Sequence, residues 1–313
     1  MKTVKAVAPY QFKDGIEFKM KAYEAWQKAG GQVAESYYPP RWAHFFAHRI
    51  ELPHFKVNNY EARLRFVQPV TFRFDTFPNY SRYEIIPFMW DTWEPFHEII
   101  AQFFIKHHVR TAIFCASQTA DVMRERFPNM NILTITEGID TSIYEEGMPL
   151  IDRNIDLLEF GRLNNKAVNL SLPPKYNHLK SKRGVKLFES DIEFRKKLAD
   201  SKITLAFPKH DTCPEETGFV ETLTQRYWEN MLSRVLMIGK APFELTNLIG
   251  YNPVMQIDED NPSEQIEYIL NHIEDYQTFV DRNRVTALEK GDWSIRMKTI
   301  MNWLKKKGYL IQK

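Results

Sequence analysis

The chain has 313 residues, of which 43% are hydrophobic and 26% are charged, and its formal net charge is +2. These are ordinary globular values that argue against a disordered protein, and the length favours two domains over one. A charge this close to neutrality excludes the strong basic field of a dedicated nucleic-acid-binding protein, so we expect no nucleic acid among the partners.

Two further features of the sequence predict a soluble, cytoplasmic protein. The N-terminus lacks the apolar h-region of a secretory leader, and no apolar run of about 18 residues follows later in the chain. Cys115 and Cys213 stand far apart and form no C-x-x-C pair. The sequence therefore indicates neither a zinc site nor a disulfide framework, and a reducing compartment fits it best.

Short apolar runs alternate with amphipathic segments along the first half of the chain, which is typical of a doubly wound parallel sheet. The pattern predicts strands over residues 4–9, 32–38, 83–90, 111–116 and 131–136, and helices over 18–29, 95–107 and 117–126. Residues 41–82 show no clear period.

The polar segment from Asp140 to Arg153 contains Gly147 and Pro149 and precedes a fresh apolar run, so we place a domain boundary near residue 150. Beyond it we predict strands over 155–160, 203–206, 235–239 and 254–256, and helices over 192–198, 223–232, 262–272 and 274–288. The expected architecture is α/β, with Rossmann-like domains over 1–150 and 151–313 facing a ligand cleft. The last helix is a candidate to return to the first domain.

The stretch from Glu221 to Glu229 holds the residues best suited to a nucleotide ligand. Seven residues separate the two glutamates, and Thr222-Leu223-Thr224 lies where a loop turns into a helix. The first N–H groups of a helix and the positive end of its dipole bind phosphate. Arg226 adds a permanent cation with a fork of donors for phosphate oxygens, and Glu229 has the acceptor oxygens that ribose hydroxyls need. For any one of these side chains alone, a solvated helix face is the competing interpretation.

This stretch resembles the E-x7-E element of retaining GT-B glycosyltransferases of the family-four type. Thr224-Gln-Arg226-Tyr-Trp-Glu229 is similar to the T-x-R-x-aromatic-E variant of bacterial members, and the likeness continues over residues 235–245. The usual E-x-F-G opening is replaced here by Glu221-Thr-Leu-Thr.

Residues upstream agree with the resemblance. Leu157 to Leu163 is similar to the strand-Gly-Arg element of these enzymes, in which the Arg and a following Lys bind the donor diphosphate. Arg162 is the counterpart of that Arg. Lys166 follows four positions later, where the family more often has five, and Lys186 is the weaker substitute. Gly138-Ile139-Asp140 resembles the turn that ends the first domain.

The resemblance implies a GT-B enzyme that transfers a sugar from a nucleotide-diphosphate donor to a glycan or lipid-linked acceptor in polysaccharide biosynthesis, with retention of configuration. By this analogy Glu221 contacts or orients the sugar and Glu229 binds the ribose. Arg162, Lys166 and Arg226, with the N–H groups of Thr222, Leu223 and Thr224, would stabilise the leaving diphosphate.

Fixed cations make a metal unnecessary, so we expect no metal and no cofactor. Asp258-Glu-Asp260 has the letters of a D-x-D metal motif, but it follows a late strand and is better interpreted as a solvated turn. Asp91, between Trp90 and Trp93, is a candidate to assist an acceptor hydroxyl or to cap a helix. His210 follows a second-domain strand and is a candidate either for the donor sugar or for a plain loop role.

Two alternatives stay open on the sequence alone, namely a GT-B epimerase acting on a nucleotide sugar and a nucleotide-sugar-binding protein without turnover. A periplasmic-type sugar-binding protein or a sugar-responsive regulator fits less well, because no leader and no DNA-reading module is evident. Lys305-Lys306-Lys307 motivates the hypothesis of peripheral contact with the inner membrane leaflet.

Overall fold

The computed structural model describes residues 1–10, 17–35, 42, 46, 49–50, 52–55, 58–161, 170–180 and 187–311. The chain divides into two units. Unit 1 contains Met1–Gly138, Glu216–Val220 and Trp293–Lys313, and unit 2 contains Ile139–Glu215 and Glu221–Asp292. The first passage between the units therefore falls after Gly138, earlier than residue 150, and the last segment of the chain belongs to unit 1.

Helices and strands alternate along both units. The strands are β1 (Lys2–Ala6), β2 (Glu61–Val67), β3 (Glu84–Met89), β4 (Thr111–Phe114), β5 (Asn131–Thr134), β6 (Ile155–Glu159), β7 (His178–Lys180), β8 (Ser201–Ala206), β9 (Leu236–Gly239), β10 (Met255–Gln256) and β11 (Tyr309–Leu310). The helices are α1 (Glu17–Lys28), α2 (Phe72–Thr76), α3 (His97–Lys106), α4 (Ser117–Arg126), α5 (Asp191–Ala199), α6 (Lys209–Thr212), α7 (Pro214–Thr217), α8 (Gln225–Leu232), α9 (Phe243–Ile249), α10 (Pro262–Asn271), α11 (Gln277–Lys290) and α12 (Trp293–Lys306).

Each unit is built on one parallel sheet. The sheet of unit 1 has the strand order β11-β1-β2-β3-β4-β5, and the sheet of unit 2 has the order β10-β9-β8-β6-β7. Representative neighbours are Leu64 with Ile86 in unit 1 and Ile203 with Leu236 in unit 2. Parallel strands need a crossover of a dozen or more residues, and helices supply most of these connections.

The apolar runs that predicted strands in the sequence become buried strands of these sheets. β3, β4 and β9 are almost wholly buried, as parallel strands covered on both faces should be. The strand expected over 32–38 is reduced to a bridge between Val33 and Ala6, and its residues 36–38 lie outside the described part of the chain. Helix α4 begins at Ser117, with Ala116 at the N-cap position.

Strand β2 is not predicted by the apolar pattern, because two of its buried positions are arginines. Arg63 is 6% exposed, donates to Glu61 and lies 3.7 Å from the centroid of the Tyr83 ring. Arg65 is 2% exposed and donates to Asn79 at 3.0 Å. Buried charges are tolerated where hydrogen-bond partners and aromatic rings replace water. In the sequence, however, the two arginines look like solvent-exposed positions, so the pattern does not indicate a buried strand.

Helix α12 packs into unit 1 through its apolar face. Its buried side chains include Trp293, Met297, Ile300, Met301 and Leu304, which repeat with the period of a helix and join the unit 1 core. The chain then adds β11 beside β1. In the part of the chain that the structure describes, no helix is long and apolar enough to cross a membrane.

Candidate functional site

The order of strands in unit 2 marks where a ligand site is expected. From β6 the chain goes to β7 on one side and then to β8 on the other side, so the winding reverses direction at β6. Ligands of doubly wound sheets bind beyond the carboxyl ends of the strands at such a reversal. Phe160 and Gly161 stand at this position, directly after β6.

A guanidinium group covers the end of β6. Gly161 has φ +85°, and a Cβ placed on it would overlap the guanidinium of Arg226. The Cζ atom of Arg226 lies 5.1 Å from the centroid of the Phe160 ring. Arg226 therefore lies at the strand end that the sequence analysis assigned to the diphosphate. Arg162 and Lys166, the other predicted phosphate ligands, and Lys186 lie outside the described residues.

Helix α8 begins at the same edge of the sheet, since a crossover helix runs antiparallel to its flanking strands β8 and β9. The first helical residue is Gln225, two positions later than predicted, and Thr224 occupies the N-cap with extended backbone. The helix is anchored by its buried face, which comprises Tyr227, Trp228, Met231 and Leu232. The first turn of α8, which is the positive end of the helix dipole, thus lies at the carboxyl ends of the strands.

The loop before α8 is held by contacts with α9. Glu221 accepts a hydrogen bond at 2.7 Å from the backbone N–H of Phe243, which is the first residue of α9. The N–H of Leu223 donates to the carboxylate of Glu244 at 2.8 Å, and both residues are buried. Because this N–H is already used within the protein, we leave Leu223 out of the phosphate-binding set. Thr222 is 9% exposed and Thr224 is half-buried.

Glu229 lies in α8 about one helical turn beyond Arg226. Its carboxylate accepts a hydrogen bond from the Tyr144 hydroxyl at 3.0 Å. Burial raises the pKa of Glu229 above its ordinary value, while the Tyr144 hydroxyl and the charge of Arg226 oppose that rise. A carboxylate that is only partly satisfied within the protein keeps acceptor capacity for ligand hydroxyls.

The hydroxyl of Tyr227 connects α8 with the end of β9. It donates to the backbone carbonyl of Lys240 at 2.8 Å. Burial raises the pKa of Tyr227 well above its ordinary value, and the charges of Arg226, Glu221 and Asp211 also act on it. These three charged side chains therefore lie near the Tyr227 hydroxyl, at the carboxyl edge of the sheet.

Lys240 completes this cluster. Its ammonium lies 2.9 Å from Asp211 and 3.7 Å from Glu221. The hydrogen bond with Asp211 is the main reason that the pKa of Lys240 is raised. Lys240, Tyr144 and Glu244 are not among the residues that the sequence predicts for the site, although Lys240 does follow a buried strand directly.

The structure places the remaining predicted residues as follows. His210 is half-buried in the short helix α6, beside Asp211. Asp91 belongs to unit 1, where it follows β3 with φ +52° and accepts a hydrogen bond from the side-chain amide of Gln68. Asp258 accepts the N–H groups of Asp260 and Asn261, each at 3.0 Å, which is the turn that the sequence analysis expects there. Among the described residues, no three His, Cys, Asp or Glu side chains form a group suited to a metal ion.

No protein-family model and no curated protein sequence matches the chain. Solved structures do match it. The structure of HepE from Anabaena in complex with UDP-glucose has a TM-score of 0.55 at 10% identity and covers 98% of this chain and 100% of its own. Sucrose-phosphate synthase from Thermosynechococcus elongatus has a TM-score of 0.58 at 10% identity, with coverages of 98% and 100%. AviGT4, a glycosyltransferase involved in avilamycin A biosynthesis, has a TM-score of 0.51 at 11% identity and covers 98% of each chain. The likeness confirms the α/β fold of the GT-B type that the sequence predicts.

Proposed function

We propose that the chain is a glycosyltransferase that takes a sugar from a nucleoside-diphosphate donor held at the carboxyl edge of unit 2. The observation that carries the proposal is the order of three side chains along the loop and helix α8, namely Glu221, Arg226 and Glu229. The guanidinium of the middle one, Arg226, lies against Gly161. A nucleotide sugar presents a sugar, a diphosphate and a ribose in the same order. The E-x7-E resemblance assigns the two glutamates to the two hydroxyl-bearing ends of that donor.

The diphosphate is the part of the donor that gains charge as the glycosidic bond breaks. Arg226 and the first turn of α8 supply a fixed guanidinium and oriented N–H groups at one point, and such preorganised donors stabilise a leaving group as its charge develops. In the proposal Arg162 and Lys166 add two further cations. The chain's own cations then do the work that a metal does in other transferases, so transfer is expected to persist in a chelator.

The ribose and sugar ends are recognised by carboxylates. Glu229, held by Tyr144 at 3.0 Å, accepts the hydroxyls of the ribose. Glu221, fixed by the N–H of Phe243 at 2.7 Å, contacts or orients the sugar. His210 is proposed as a neighbour of the sugar. Asp91, in unit 1, is proposed to assist the hydroxyl of the acceptor.

UDP-glucose is the donor to test first, because HepE, a protein of the same fold, is bound to it. Retention of configuration and a glycan or lipid-linked acceptor in polysaccharide biosynthesis are proposed on the family resemblance. AviGT4, a protein of the same fold, is a glycosyltransferase involved in avilamycin A biosynthesis, which fits the same class of reaction.

A thermal-shift screen with UDP-, GDP-, ADP- and CMP-sugars tests the proposal. A ligand that binds only the folded state raises the free energy of unfolding by mass action, by about 2.7 kcal/mol at a concentration of about 100 Kd, and the unfolding temperature rises with it. We expect one base series, with UDP first, to give a shift. Hydrolysis of the shifting donor to free sugar then separates a transferase from a binding protein without turnover. No shift with any of the four series contradicts the proposal.

A further inference from the structure

The ammonium of Lys240 joins two carboxylates at the carboxyl edge of unit 2. Its Nζ lies 2.9 Å from Asp211 and 3.7 Å from Glu221, and the three side chains are 46%, 26% and 12% exposed respectively. Asp211 comes from the short helix α6 after β8, Lys240 directly follows β9, and Glu221 comes from the loop before α8. Three separate connections thus bring one positive and two negative groups together.

The backbone under Lys240 is held from both sides. Its N–H donates to the carbonyl of Ala206 at 2.9 Å, and its carbonyl accepts the Tyr227 hydroxyl at 2.8 Å. The preceding Gly239 has φ +142°, and a Cβ there would overlap the carbonyl oxygen of Ala206. The ammonium therefore extends from a fixed point of the sheet, unlike an exposed pair on one helix such as Arg124 with Asp121.

The cluster lies beside the proposed phosphate site. Tyr227, which follows Arg226 in α8, donates its hydroxyl to the carbonyl of Lys240 at 2.8 Å, so the cluster and the guanidinium are joined through adjacent residues. Glu221, which lies 3.7 Å from the ammonium of Lys240, is the residue assigned to the sugar in the proposed function. Lys240 and Asp211 therefore stand at the sugar end of the proposed donor.

We propose that Lys240 and Asp211 form, with Glu221, the subsite that selects an uncharged sugar on the donor. This inference rests on the proposed function and names the substrate class of the same site. The two carboxylates accept hydrogen bonds from neighbouring hydroxyls, and the ammonium donates to a hydroxyl oxygen between them. One ammonium and two carboxylates leave the cluster negative, so a sugar that carries a carboxylate is repelled.

Calorimetric titration with UDP, UDP-glucose and UDP-glucuronate tests the inference. We expect wild-type protein to bind UDP-glucose more tightly than UDP, and UDP-glucuronate no more tightly than UDP. Lys240→Met is expected to keep the affinity for UDP but to lose about tenfold in affinity for UDP-glucose, because a charge-assisted hydrogen bond is lost. Lys240→Arg, which keeps the charge, is expected to retain the preference for UDP-glucose. Asp211→Asn is expected to reduce the difference in affinity between UDP-glucose and UDP-glucuronate, because one repelling charge is removed.

Lys202→Met is the matched control, since Lys202 pairs with Asp156 at 2.7 Å at the beginning of β8, the opposite edge of the same sheet. It is expected to bind all three ligands as wild type does. If Lys240→Met binds UDP-glucose as wild type does, or loses UDP and UDP-glucose equally, the subsite is wrong while the proposed function stands. If wild-type protein binds none of the three ligands, the proposed UDP-sugar donor is wrong as well.

Discussion

The guanidinium of Arg226 lies against Gly161, in the space that a Cβ at residue 161 would occupy. Gly161 also has φ +85°, a conformation that L side chains rarely adopt. The glycine thus serves two purposes, since it allows the chain to turn after β6 and it lets the cation approach the strand end. Gly250, another positive-φ glycine of unit 2, serves only the first purpose, which provides a comparison.

Gly161→Ala is expected to weaken both folding and nucleotide binding. The left-handed backbone costs about 1 kcal/mol for alanine, and the added methyl displaces the guanidinium. Gly250→Ala is the control, because Gly250 has φ +84° and, among the described residues, no heavy atom lies within 4 Å of the position that its Cβ would take. Urea unfolding should show a similar loss for both variants, whereas UDP titration should show about a tenfold loss for Gly161→Ala alone. Equal UDP affinity of the two variants would remove the contact from the site.

The raised pKa of Glu229 predicts a pH dependence of UDP binding. Ribose hydroxyls donate to an ionised carboxylate, so UDP affinity should fall as the pH drops through the raised folded-state pKa. Glu229→Gln should bind UDP more weakly and should lack the part of the pH dependence that wild-type protein owes to Glu229. Tyr144→Phe should move the wild-type dependence to higher pH, because the hydroxyl favours the ionised form. A flat pH profile for wild-type protein would contradict the ribose assignment.

The same pKa shift has a consequence for stability. The folded state holds a proton on Glu229 at pH values where the unfolded state has released it, so stability from this group is present below the unfolded pKa and declines as the pH rises through the folded pKa. Glu229→Gln should therefore gain stability relative to wild type as the pH rises. Urea unfolding of both proteins over the same pH range measures this difference. If the unfolding free energy of Glu229→Gln minus that of wild type falls as the pH rises, the prediction is wrong.

Glu244 is expected to hold the loop before α8 in place. Glu244→Ala leaves the buried N–H of Leu223 without its 2.8 Å acceptor, which should cost about 1–3 kcal/mol of unfolding free energy. Glu244→Gln keeps an acceptor oxygen and should cost much less. Urea unfolding of the two variants checks the difference, and similar losses for both would show that the charge rather than the hydrogen bond matters.

The lysine cluster at the end of α12 allows a test of membrane contact. Lys305, Lys306 and Lys307 are all exposed. If they bind anionic headgroups, the protein should float with phosphatidylserine-containing vesicles at low salt and be released at high salt. Replacing all three by glutamine should abolish flotation. An absence of flotation of wild-type protein at low salt would refute the peripheral contact.

The sequence predicts most of unit 2 because strands such as β6, β8 and β9 are apolar runs and helices such as α8 and α10 have one apolar face. Strand β2 could not be predicted from pattern, since Arg63 and Arg65 are buried by partners that are distant in sequence, such as Tyr83 and Asn79. β7 was also outside the predicted elements, because His178–Lys180 is short and polar.

The same limit applies to the candidate site. Glu221, Arg226 and Glu229 stand in one stretch and can be recognised from their spacing. Tyr144 precedes Glu229 by 85 positions and Glu244 follows Leu223 by 21, so only the fold brings these pairs together. Lys240 likewise reaches Asp211 across 29 positions. Residues that complete a site through tertiary contacts leave no local signal in a single sequence.

The central claim is that Arg226 binds the diphosphate of a nucleotide, and calorimetric titration of UDP into Arg226→Ala tests it most directly. Arg282→Ala is the matched control, because its guanidinium also lies over an aromatic ring of unit 2, 3.8 Å from the centroid of Tyr251, but Arg282 comes from α11 and is not assigned to the site. We expect Arg282→Ala to bind UDP as wild type does and Arg226→Ala to lose at least about tenfold in affinity. Undiminished UDP affinity in Arg226→Ala would contradict the account.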